Sequence, residues 1–232
     1  MRLAIVGHGR MGRTIASLAP ARGHEITVVI DEAENLDGRG LTRERLAGVD
    51  VAIEFTTAAT APANLTRLIE AGVPTVCGTT GWTAELPGIT ALVRQRRGAL
   101  LHAPNFSVGV QLFLRGAREL ARRFAGRREF DAFILEEHHA SKLDAPSGTA
   151  GTLREQLRTA DPGREFPITS IRAGAIPGIH SVTYDGPYDT VTLTHTARSR
   201  EGFAAGALLA AEWLPGRTGV FTFDDVLFGE DR

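Results

Sequence analysis

The sequence contains a single cysteine, Cys77, among its 232 residues. An intramolecular disulfide bond is therefore excluded, and a lone thiol is typical of a protein from the reducing cytoplasm. Cys77 ends the apolar run Pro74–Cys77, where a small buried core residue is expected in preference to a nucleophile.

Long apolar runs are also missing from the sequence. No run approaches the ~18 residues of a membrane span. The first residues have the pattern of a strand, which differs from the charged start and apolar stretch of a signal peptide. We therefore expect a cytoplasmic protein that has no membrane as partner.

An excess of either charge is absent as well, since the sequence contains 26 Lys and Arg residues and 27 Asp and Glu residues. This balance gives no reason to expect nucleic acid as a partner. The basic residues are nearly all arginine, and Lys142 is the only lysine. A lone lysine within a polar segment suggests a functional role for that lysine.

The first part of the chain alternates strand-like and helix-like segments, which predicts a parallel sheet covered by helices on both faces. The predicted strands are Arg2–Val6, Glu25–Ile30, Val51–Phe55, Pro74–Gly78 and Ala99–His102. The predicted helices are Arg10–Ala21, Ala63–Ala71 and Glu85–Arg97, with at most a short helix at Thr42–Leu46.

The pattern changes after the fifth strand and indicates a mixed or antiparallel sheet. The predicted elements are a helix at Val108–Phe124, a strand at Phe130–Glu136, a helix at Thr149–Thr159, and strands at Pro167–Arg172, His180–Tyr184 and Thr190–Thr196. An alanine-rich helix, Phe203–Trp213, and a short tail, Gly219–Leu227, follow.

The predicted fold class is α/β, with an N-terminal Rossmann-like parallel-sheet domain and a smaller C-terminal α+β domain that contains a mixed sheet. The change of pattern after the fifth strand marks the boundary between these two domains.

The turn after the first strand reads Gly7-His8-Gly9-Arg10-Met11-Gly12 and precedes a helix, which is the context of the dinucleotide-binding fingerprint. Gly7 permits a tight turn, Gly9 lets a pyrophosphate approach the backbone, and Gly12 lets the helix pack on the sheet. Asp31 ends the second strand about 20 residues later, where a carboxylate binds the ribose hydroxyls. The alternative is a purely structural glycine turn.

The choice between NADH and NADPH stays open in the sequence. Glu32 follows Asp31, where an arginine would bind a 2′-phosphate, and this favours NADH. Arg10 and Arg13 lie on or next to the glycine turn, however, and could bind that phosphate.

Two later loops follow neighbouring strands, at the edge where ligands bind to such sheets. One contains Gly78, Thr79, Thr80 and Gly81, and the other contains Ala103, Pro104, Asn105, Phe106 and Ser107. We expect cofactor contacts from residues 78–80 and 103–106. The alternative is plain turns, with Ser107 capping the next helix.

The densest polar segment is Glu136–Thr149. Its adjacent histidines, His138 and His139, suggest either metal binding or acid–base chemistry. A zinc site is disfavoured because neighbours on a strand point to opposite faces and no cysteine is nearby, so we expect no metal.

Acid–base chemistry fits this segment better, since histidine titrates near neutrality and Lys142 adds a second proton donor. The run Ser147-Gly148-Thr149 begins a helix, where free amides and hydroxyls bind a carboxylate. The segment therefore predicts an anionic substrate that needs a proton. The alternative is a surface loop followed by a capped helix.

The sequence resembles the dihydrodipicolinate reductase family over almost its whole length. The most specific motif is His138-His139 through Lys142 and Asp144-Ala145-Pro146-Ser147-Gly148-Thr149. Further matching segments are the glycine turn, Glu54-Phe55-Thr56, Gly78–Gly81, Ala103–Val108, Gly178–His180, the strand containing His195, and Arg200 with Phe203-Ala204. Glu54 replaces the usual aspartate, and the glycine turn is one residue shorter than in some members.

The resemblance implies reduction of 4-hydroxy-tetrahydrodipicolinate, via dihydrodipicolinate, to tetrahydrodipicolinate in the diaminopimelate–lysine pathway, with NADH and/or NADPH. It implies that His138 is the general acid/base and that Lys142 is a proton donor. The substrate, a cyclic dicarboxylate, would be held by His139, Ser147, Gly148 and Thr149. The cofactor would be held by Gly7–Gly12, Asp31, Gly78–Thr80 and Ala103–Phe106.

The resemblance also implies that residues 1–106 and 204–232 form the dinucleotide-binding domain and that residues 107–203 form the domain for substrate binding and oligomerisation. It implies a homotetramer that associates through its C-terminal sheets. Two other functions remain open from the residues alone. One is a different two-domain dehydrogenase, such as an aspartate dehydrogenase, and the other is a dinucleotide-sensing module without catalysis.

Overall fold

The computed structural model describes residues 1–229. Its strands are β1 (Arg2–Val6), β2 (Glu25–Ile30), β3 (Val51–Glu54), β4 (Thr75–Cys77), β5 (Ala99–His102), β6 (Asp131–His138), β7 (Ile168–Arg172), β8 (Ile179–Asp185), β9 (Thr190–Thr196) and β10 (Gly219–Thr222). Its helices are α1 (Arg10–Leu18), α2 (Ala61–Glu70), α3 (Leu86–Arg96), α4 (Val108–Phe124), α5 (Gly148–Ala160), α6 (Glu201–Trp213) and α7 (Phe223–Phe228).

The chain forms two compact units. The first comprises Met1–Val108 and the chain from Arg200 onward, and the second comprises Gly109–Ser199. Residues 230–232, which the sequence assigns to the first domain, lie outside the described residues. Within the described chain, each helix is too short or too polar to cross a lipid bilayer.

The first unit is built on a six-stranded parallel sheet with the strand order β10-β5-β4-β3-β1-β2. Leu3 and Ile5 of β1 pack into a core with residues of α1 and α6, such as Ile15 and Leu208. Ala4 and Val6, on the opposite face, pack with residues such as Leu68 of α2. Both faces are therefore covered, which explains why the inner strands are apolar at almost every position.

The second unit contains a four-stranded mixed sheet with the order β7-β6-β8-β9. Strand β6 runs parallel to β7 and antiparallel to β8, which in turn runs antiparallel to β9. Alternate residues of β6 and β8, such as Ile134 and Val182, pack in one core with Phe113 of α4 and Leu153 of α5. The predicted fold class, a Rossmann-like parallel-sheet domain plus an α+β domain with a mixed sheet, is confirmed.

Several elements differ in their bounds from the predictions, and three of the differences bear on the topology or the site. The tail Gly219–Leu227 forms β10, which pairs in parallel with β5, and α7. Helix α1 ends at Leu18 rather than Ala21, because Pro20 begins a separate 3₁₀ turn. Strand β6 runs to His138, two residues beyond the predicted end, so His138 belongs to the strand itself.

Candidate active site

The glycine turn follows β1, and each of its glycines has a different surrounding. Gly7 has φ +93°, and a Cβ there would lie 2.1 Å from the Phe55 carbonyl oxygen. A Cβ on Gly12 would lie 2.1 Å from the Gly7 carbonyl oxygen, whereas a Cβ on Gly9 would meet nothing within 4 Å. Gly7 and Gly12 are therefore required by the turn itself. Gly9 leaves open space above the backbone, which fits the approach of a pyrophosphate.

Gly9 is also the N-cap of α1, and no described side chain caps the helix there. Uncapped amides at a helix start suit an anion such as the pyrophosphate of a dinucleotide. Of the other residues in the turn, Met11 packs its side chain against the core, and His8 accepts a hydrogen bond from Arg13 Nη1 at 3.4 Å through its carbonyl oxygen. Arg10 is exposed.

Asp31 follows β2 directly and is exposed. Its Oδ1 atom accepts a hydrogen bond of 2.7 Å from the Glu32 amide, and this caps the short 3₁₀ helix Glu32–Glu34. Within the described residues only this oxygen is bonded, so the second oxygen is left for a ribose hydroxyl. These residues of the first unit fit a dinucleotide.

The two later loops follow β4 and β5 at the same edge of the sheet, but several of their side chains serve the fold. A Cβ on Gly78 would lie 2.1 Å from the Phe55 ring, and Thr79 Oγ1 accepts a 2.7 Å hydrogen bond from the Thr56 amide. Phe106 is buried against the Phe55 and Phe223 rings. Their contacts within the fold therefore account for these side chains without a ligand.

Thr80 and Pro104 are exposed on these loops, and Ala103 is buried. Asn105 Oδ1 accepts a 2.8 Å hydrogen bond from the Ser107 amide. The backbone of both loops lies at the edge where the cofactor is expected.

The burial of the Glu54 carboxylate, below this edge, was not predicted from the sequence. Glu54 at the end of β3 is fully buried, and it accepts hydrogen bonds from Thr56 Oγ1, from Asn64 Nδ2 at 3.3 Å and from Cys77 Sγ at 3.1 Å. Burial and the neighbouring Glu54 raise the pKa of the Cys77 thiol strongly, so this thiol is no nucleophile. The prediction that Cys77 is a small buried core residue is confirmed.

In the second unit, the end of β6 carries a carboxylate–histidine pair. Glu136 and His138 are two residues apart on one strand and share a face, and His138 Nδ1 lies 2.5 Å from Glu136 Oε2. Glu136 is fully buried. Its Oε1 atom accepts a hydrogen bond of 2.6 Å from Arg172 Nη2 on β7 and one of 3.3 Å from the Ser147 amide. One carboxylate thus joins a histidine, an arginine and the residue before α5.

The charges of this cluster are well defined. Burial raises the pKa of Glu136, but interactions with Arg172, Ser170 and His138 outweigh this effect and lower the pKa to about 2. Burial lowers the pKa of His138, and the hydrogen bond to Glu136 opposes that shift. Glu136 is therefore ionised near neutrality, and His138 donates its Nδ1–H to it.

The Nε2 atom of His138 has no hydrogen-bond partner within residues 1–229. Gly178, which has φ +142°, lies beside it, and a Cβ there would come within 3.2 Å of Nε2. The absence of a side chain at Gly178 keeps this nitrogen open for a ligand.

Lys142 and His139 lie in the loop after β6 and bond to loop neighbours. Lys142 Nζ donates a hydrogen bond of 2.7 Å to Asp144 Oδ1, and His139 Nδ1 lies 2.8 Å from Ser141 Oγ. The hydrogen bond from Lys142 lowers the pKa of Asp144. The structure thus brings His138 and Ser147 to one carboxylate, while Lys142 and His139 are not bonded to that cluster.

Ser147 caps α5, since its Oγ accepts from the Ala150 amide at 3.3 Å. The same hydroxyl lies 3.0 Å from His180 Nε2 on β8. The role of a helix cap therefore accounts for Ser147, although its hydroxyl also contacts His180. Gly148 is exposed and Thr149 is half-buried at the start of the helix. Backbone amides at a helix start suit an anion such as a carboxylate.

Glu136, His138 and His180 offer ligand atoms within 4.8 Å of one another, a spacing that a metal ion could use. The sequence predicted no metal. Arg172 already binds Glu136 Oε1, and a guanidinium at this distance opposes a second cation. This arrangement favours acid–base chemistry over metal binding.

Sequence reasoning missed Glu136, Arg172, His180 and Gly178 as members of the cluster. The two-residue spacing of Glu136 and His138 on a strand was a usable signal. Arg172 and His180 reach the cluster through the strand pairing β7-β6-β8, which residue spacing along the chain does not reveal.

These features define a class. A parallel sheet with an open glycine turn at its first helix, joined in one chain to a unit with a carboxylate–histidine cluster, is typical of nicotinamide-dependent oxidoreductases. Residues 1–106 match the family model described as dihydrodipicolinate reductase, N-terminus, and residues 109–227 match the one described as dihydrodipicolinate reductase, C-terminus. The chain belongs to the dihydrodipicolinate reductase family, which confirms the predicted resemblance.

Individual relatives agree with this assignment. The chain is 39% identical to the 4-hydroxy-tetrahydrodipicolinate reductase of Christiangramia forsetii, over 98% of each chain. It is 35% identical to the enzyme of the same name from Methanosarcina barkeri, over 89% of this chain and 82% of that one. The dipicolinate-bound dihydrodipicolinate reductase of Paenisporosarcina sp. TG-14 has the same fold, with a TM-score of 0.81 at 24% identity over 96% of this chain and 97% of that one.

Proposed function

We propose that this protein reduces 4-hydroxy-tetrahydrodipicolinate, via dihydrodipicolinate, to tetrahydrodipicolinate in the diaminopimelate–lysine pathway. Its curated relatives carry the name of this reductase. The observation that carries the proposal is the cluster at the end of β6. There a buried carboxylate binds both His138 and the amide before α5, next to an amide-rich helix start suited to a substrate carboxylate.

The two units have separate tasks in this proposal. The first unit binds the dinucleotide through Gly7–Gly12, Asp31 and the loops 78–80 and 103–106. The second unit binds the substrate and mediates oligomerisation. When bound, the nicotinamide supplies a hydride to C4 of the substrate ring.

The residues of the second unit handle the proton and the carboxylates. His138 donates a proton from Nε2 to the ring carbon next to the one that receives hydride, because Nε2 is its only open nitrogen. Gly148 and Thr149 bind one carboxylate at the start of α5, and Ser147 adds its hydroxyl. His139 and Lys142 bind charge at the other end of the substrate, with Lys142 as a second proton donor. Dipicolinate, which the Paenisporosarcina structure contains, is a cyclic dicarboxylate of this kind.

NADH and NADPH are both proposed as cofactors. The carboxylates of Asp31 and Glu32 after β2 repel a 2′-phosphate and favour NADH. The exposed guanidinium groups of Arg10 and Arg13 near the glycine turn attract that phosphate and allow NADPH.

The homotetramer is proposed on the basis of the mixed sheet. Helices α4 and α5 share a core with one of its faces. On the other face, Phe133 is 40% exposed and Ile171 is 38% exposed, with Leu135 between them half-buried. Apolar residues on an exposed sheet face are typical of an association surface. A cytoplasmic location is proposed because the only thiol, Cys77, is free and buried.

A coupled assay tests the reaction. The protein is added to aspartate semialdehyde, pyruvate and the synthase that condenses them, and the loss of reduced nicotinamide is followed. We expect oxidation that requires all three additions. Oxidation with oxaloacetate and ammonia instead would indicate an aspartate dehydrogenase, and binding of NADH without turnover of either mixture would indicate a sensing module.

A further inference from the structure

We propose that Glu136, held ionised by Arg172, is a positioning residue that fixes the tautomer of His138 and leaves Nε2 as its only proton-transfer atom. The inference deepens the proposed function and rests on it. Glu136 acts through His138, and Arg172 acts through Glu136, so neither is assigned a contact with the substrate.

The geometry gives the carboxylate one orientation. Glu136 Oε2 faces His138 Nδ1 at 2.5 Å, while Oε1 accepts from Arg172 Nη2 at 2.6 Å and from the Ser147 amide at 3.3 Å. Three donors on a fully buried carboxylate leave it no freedom to turn. An ionised carboxylate is an acceptor only, so Nδ1 of His138 must carry a hydrogen in every protonation state.

The consequence for catalysis follows from this tautomer. As an imidazolium, His138 holds hydrogens on both nitrogens, and the Nε2–H bond breaks as a new C–H bond forms on the substrate. The electron pair of the broken bond stays on Nε2, and the neutral ring keeps its Nδ1–H donated to Glu136. Arg172 balances the negative charge of Glu136, which would otherwise be buried without a cation.

The protonation of His138 depends on the ionisable groups that face it. Glu136 on β6 raises the pKa of His138, and Lys142 in the following loop and Arg172 on β7 lower it, in addition to the lowering by burial. His180 on β8 has its ring centroid 5.1 Å from that of His138, and burial lowers its own pKa to about 4, so it is neutral near pH 7. The carboxylate of Glu136 is therefore the group that favours the proton on His138.

The direct test needs no substitution in Glu136. The imidazole ¹⁵N resonances of His138 in the full-length protein, assigned by their absence from His138→Gln, report which nitrogen of the neutral ring carries hydrogen. We expect hydrogen on Nδ1. Hydrogen on Nε2 of the neutral ring would overturn the inference, whether or not the protein turns out to be the proposed reductase.

The kinetic test compares Glu136→Gln with Glu129→Gln, which makes the same chemical change at an exposed position outside the cluster. A glutamine that accepts from Arg172 presents its NH₂ group to His138 and disfavours the Nδ1–H tautomer. We expect kcat to fall by roughly 10²-fold, at the lower end of the loss expected for a missing general acid. KM should change little, and the alkaline limb of the pH profile should move to lower pH.

Glu129→Gln should match the wild type in all three quantities. The conservative Glu136→Asp should recover part of kcat and restore the alkaline limb toward the wild-type pH. A folded Glu136→Gln with wild-type kcat and pH profile would contradict the inference. If Glu136→Gln does not fold, the pH profile of Glu136→Asp and the ¹⁵N spectrum of the wild type test the inference instead. A wild type that is inactive in the coupled assay would contradict the proposed function instead.

Discussion

At the residue scale, His180 is a buried side chain that contacts the site through Ser147. Its Nε2 lies 3.0 Å from Ser147 Oγ, and its Nδ1 is buried without a hydrogen-bond partner in the described structure. Burial lowers the pKa of His180 from 6.5 to about 4. The unfolded chain therefore binds a proton between these pH values that the folded protein does not bind, and the free energy of unfolding falls as the pH drops from 6.5 towards 4.

We predict that His180→Asn weakens this acid sensitivity. The substitution removes the buried ionisable ring, so the slope of unfolding free energy against pH should be smaller between pH 6.5 and 4 than in the wild type. Urea unfolding at a series of pH values measures both slopes. The other six histidines are present in both proteins and serve as an internal control. Equal slopes would show that His180 does not stay neutral in the fold.

The residues of this site could be predicted only in part from the sequence. The run from His138 to Thr149 is local, and its helix start and acid–base residues are visible in the order of residue types. Arg172 lies 36 positions from Glu136, and they meet only because β7 pairs with β6 in one register. A single-residue shift of that register would place Arg172 on the other face.

At the scale of elements, the glycine turn and α1 form a unit whose glycines have separable roles. Gly12 packs α1 onto the turn, and Gly9 leaves the helix start open to a ligand. The glycine spacing was enough to predict this element. The strand β10 could not be predicted, since it is four residues long and is stabilised by parallel pairing with β5, more than 100 positions away in sequence.

The two glycines give a matched pair of variants. Gly9→Ala should leave the unfolding free energy close to that of the wild type, because the added methyl group would meet no described residue other than its chain neighbours within 4 Å. It should, however, weaken NADH binding. Gly12→Ala places a Cβ 2.1 Å from a carbonyl oxygen and should destabilise the fold by at least about 1–3 kcal/mol. Thermal unfolding and calorimetric titration with NADH separate the two effects. Unchanged NADH affinity in Gly9→Ala would exclude a pyrophosphate at this turn.

At the scale of the whole molecule, the proposed tetramer depends on the exposed face of the mixed sheet. The alternation of β6 predicts two faces, and Ala132 and Ile134 point into the core while Phe133 is exposed. The sequence alone does not tell which face a second chain covers, because an antiparallel sheet can also face water on one side.

We predict that Phe133→Glu dissociates the tetramer. A charge on this face would have to be buried on association, which is costly without a partner. Light scattering coupled to size-exclusion chromatography should give a tetramer for the wild type and a smaller species for the variant, while Glu129→Gln should remain tetrameric. A monomeric wild type would contradict the proposed assembly, and a tetrameric Phe133→Glu would place the interface elsewhere.

The most direct test of the central claim, that this protein is a dihydrodipicolinate reductase whose proton donor is His138, is the coupled assay with His138→Gln beside the wild type. We predict that the wild type oxidises reduced nicotinamide only when the synthase product is supplied. The variant should lose ~10²–10⁴-fold in kcat with little change in dipicolinate binding. A folded His138→Gln whose turnover stays within a few-fold of the wild type would contradict the account.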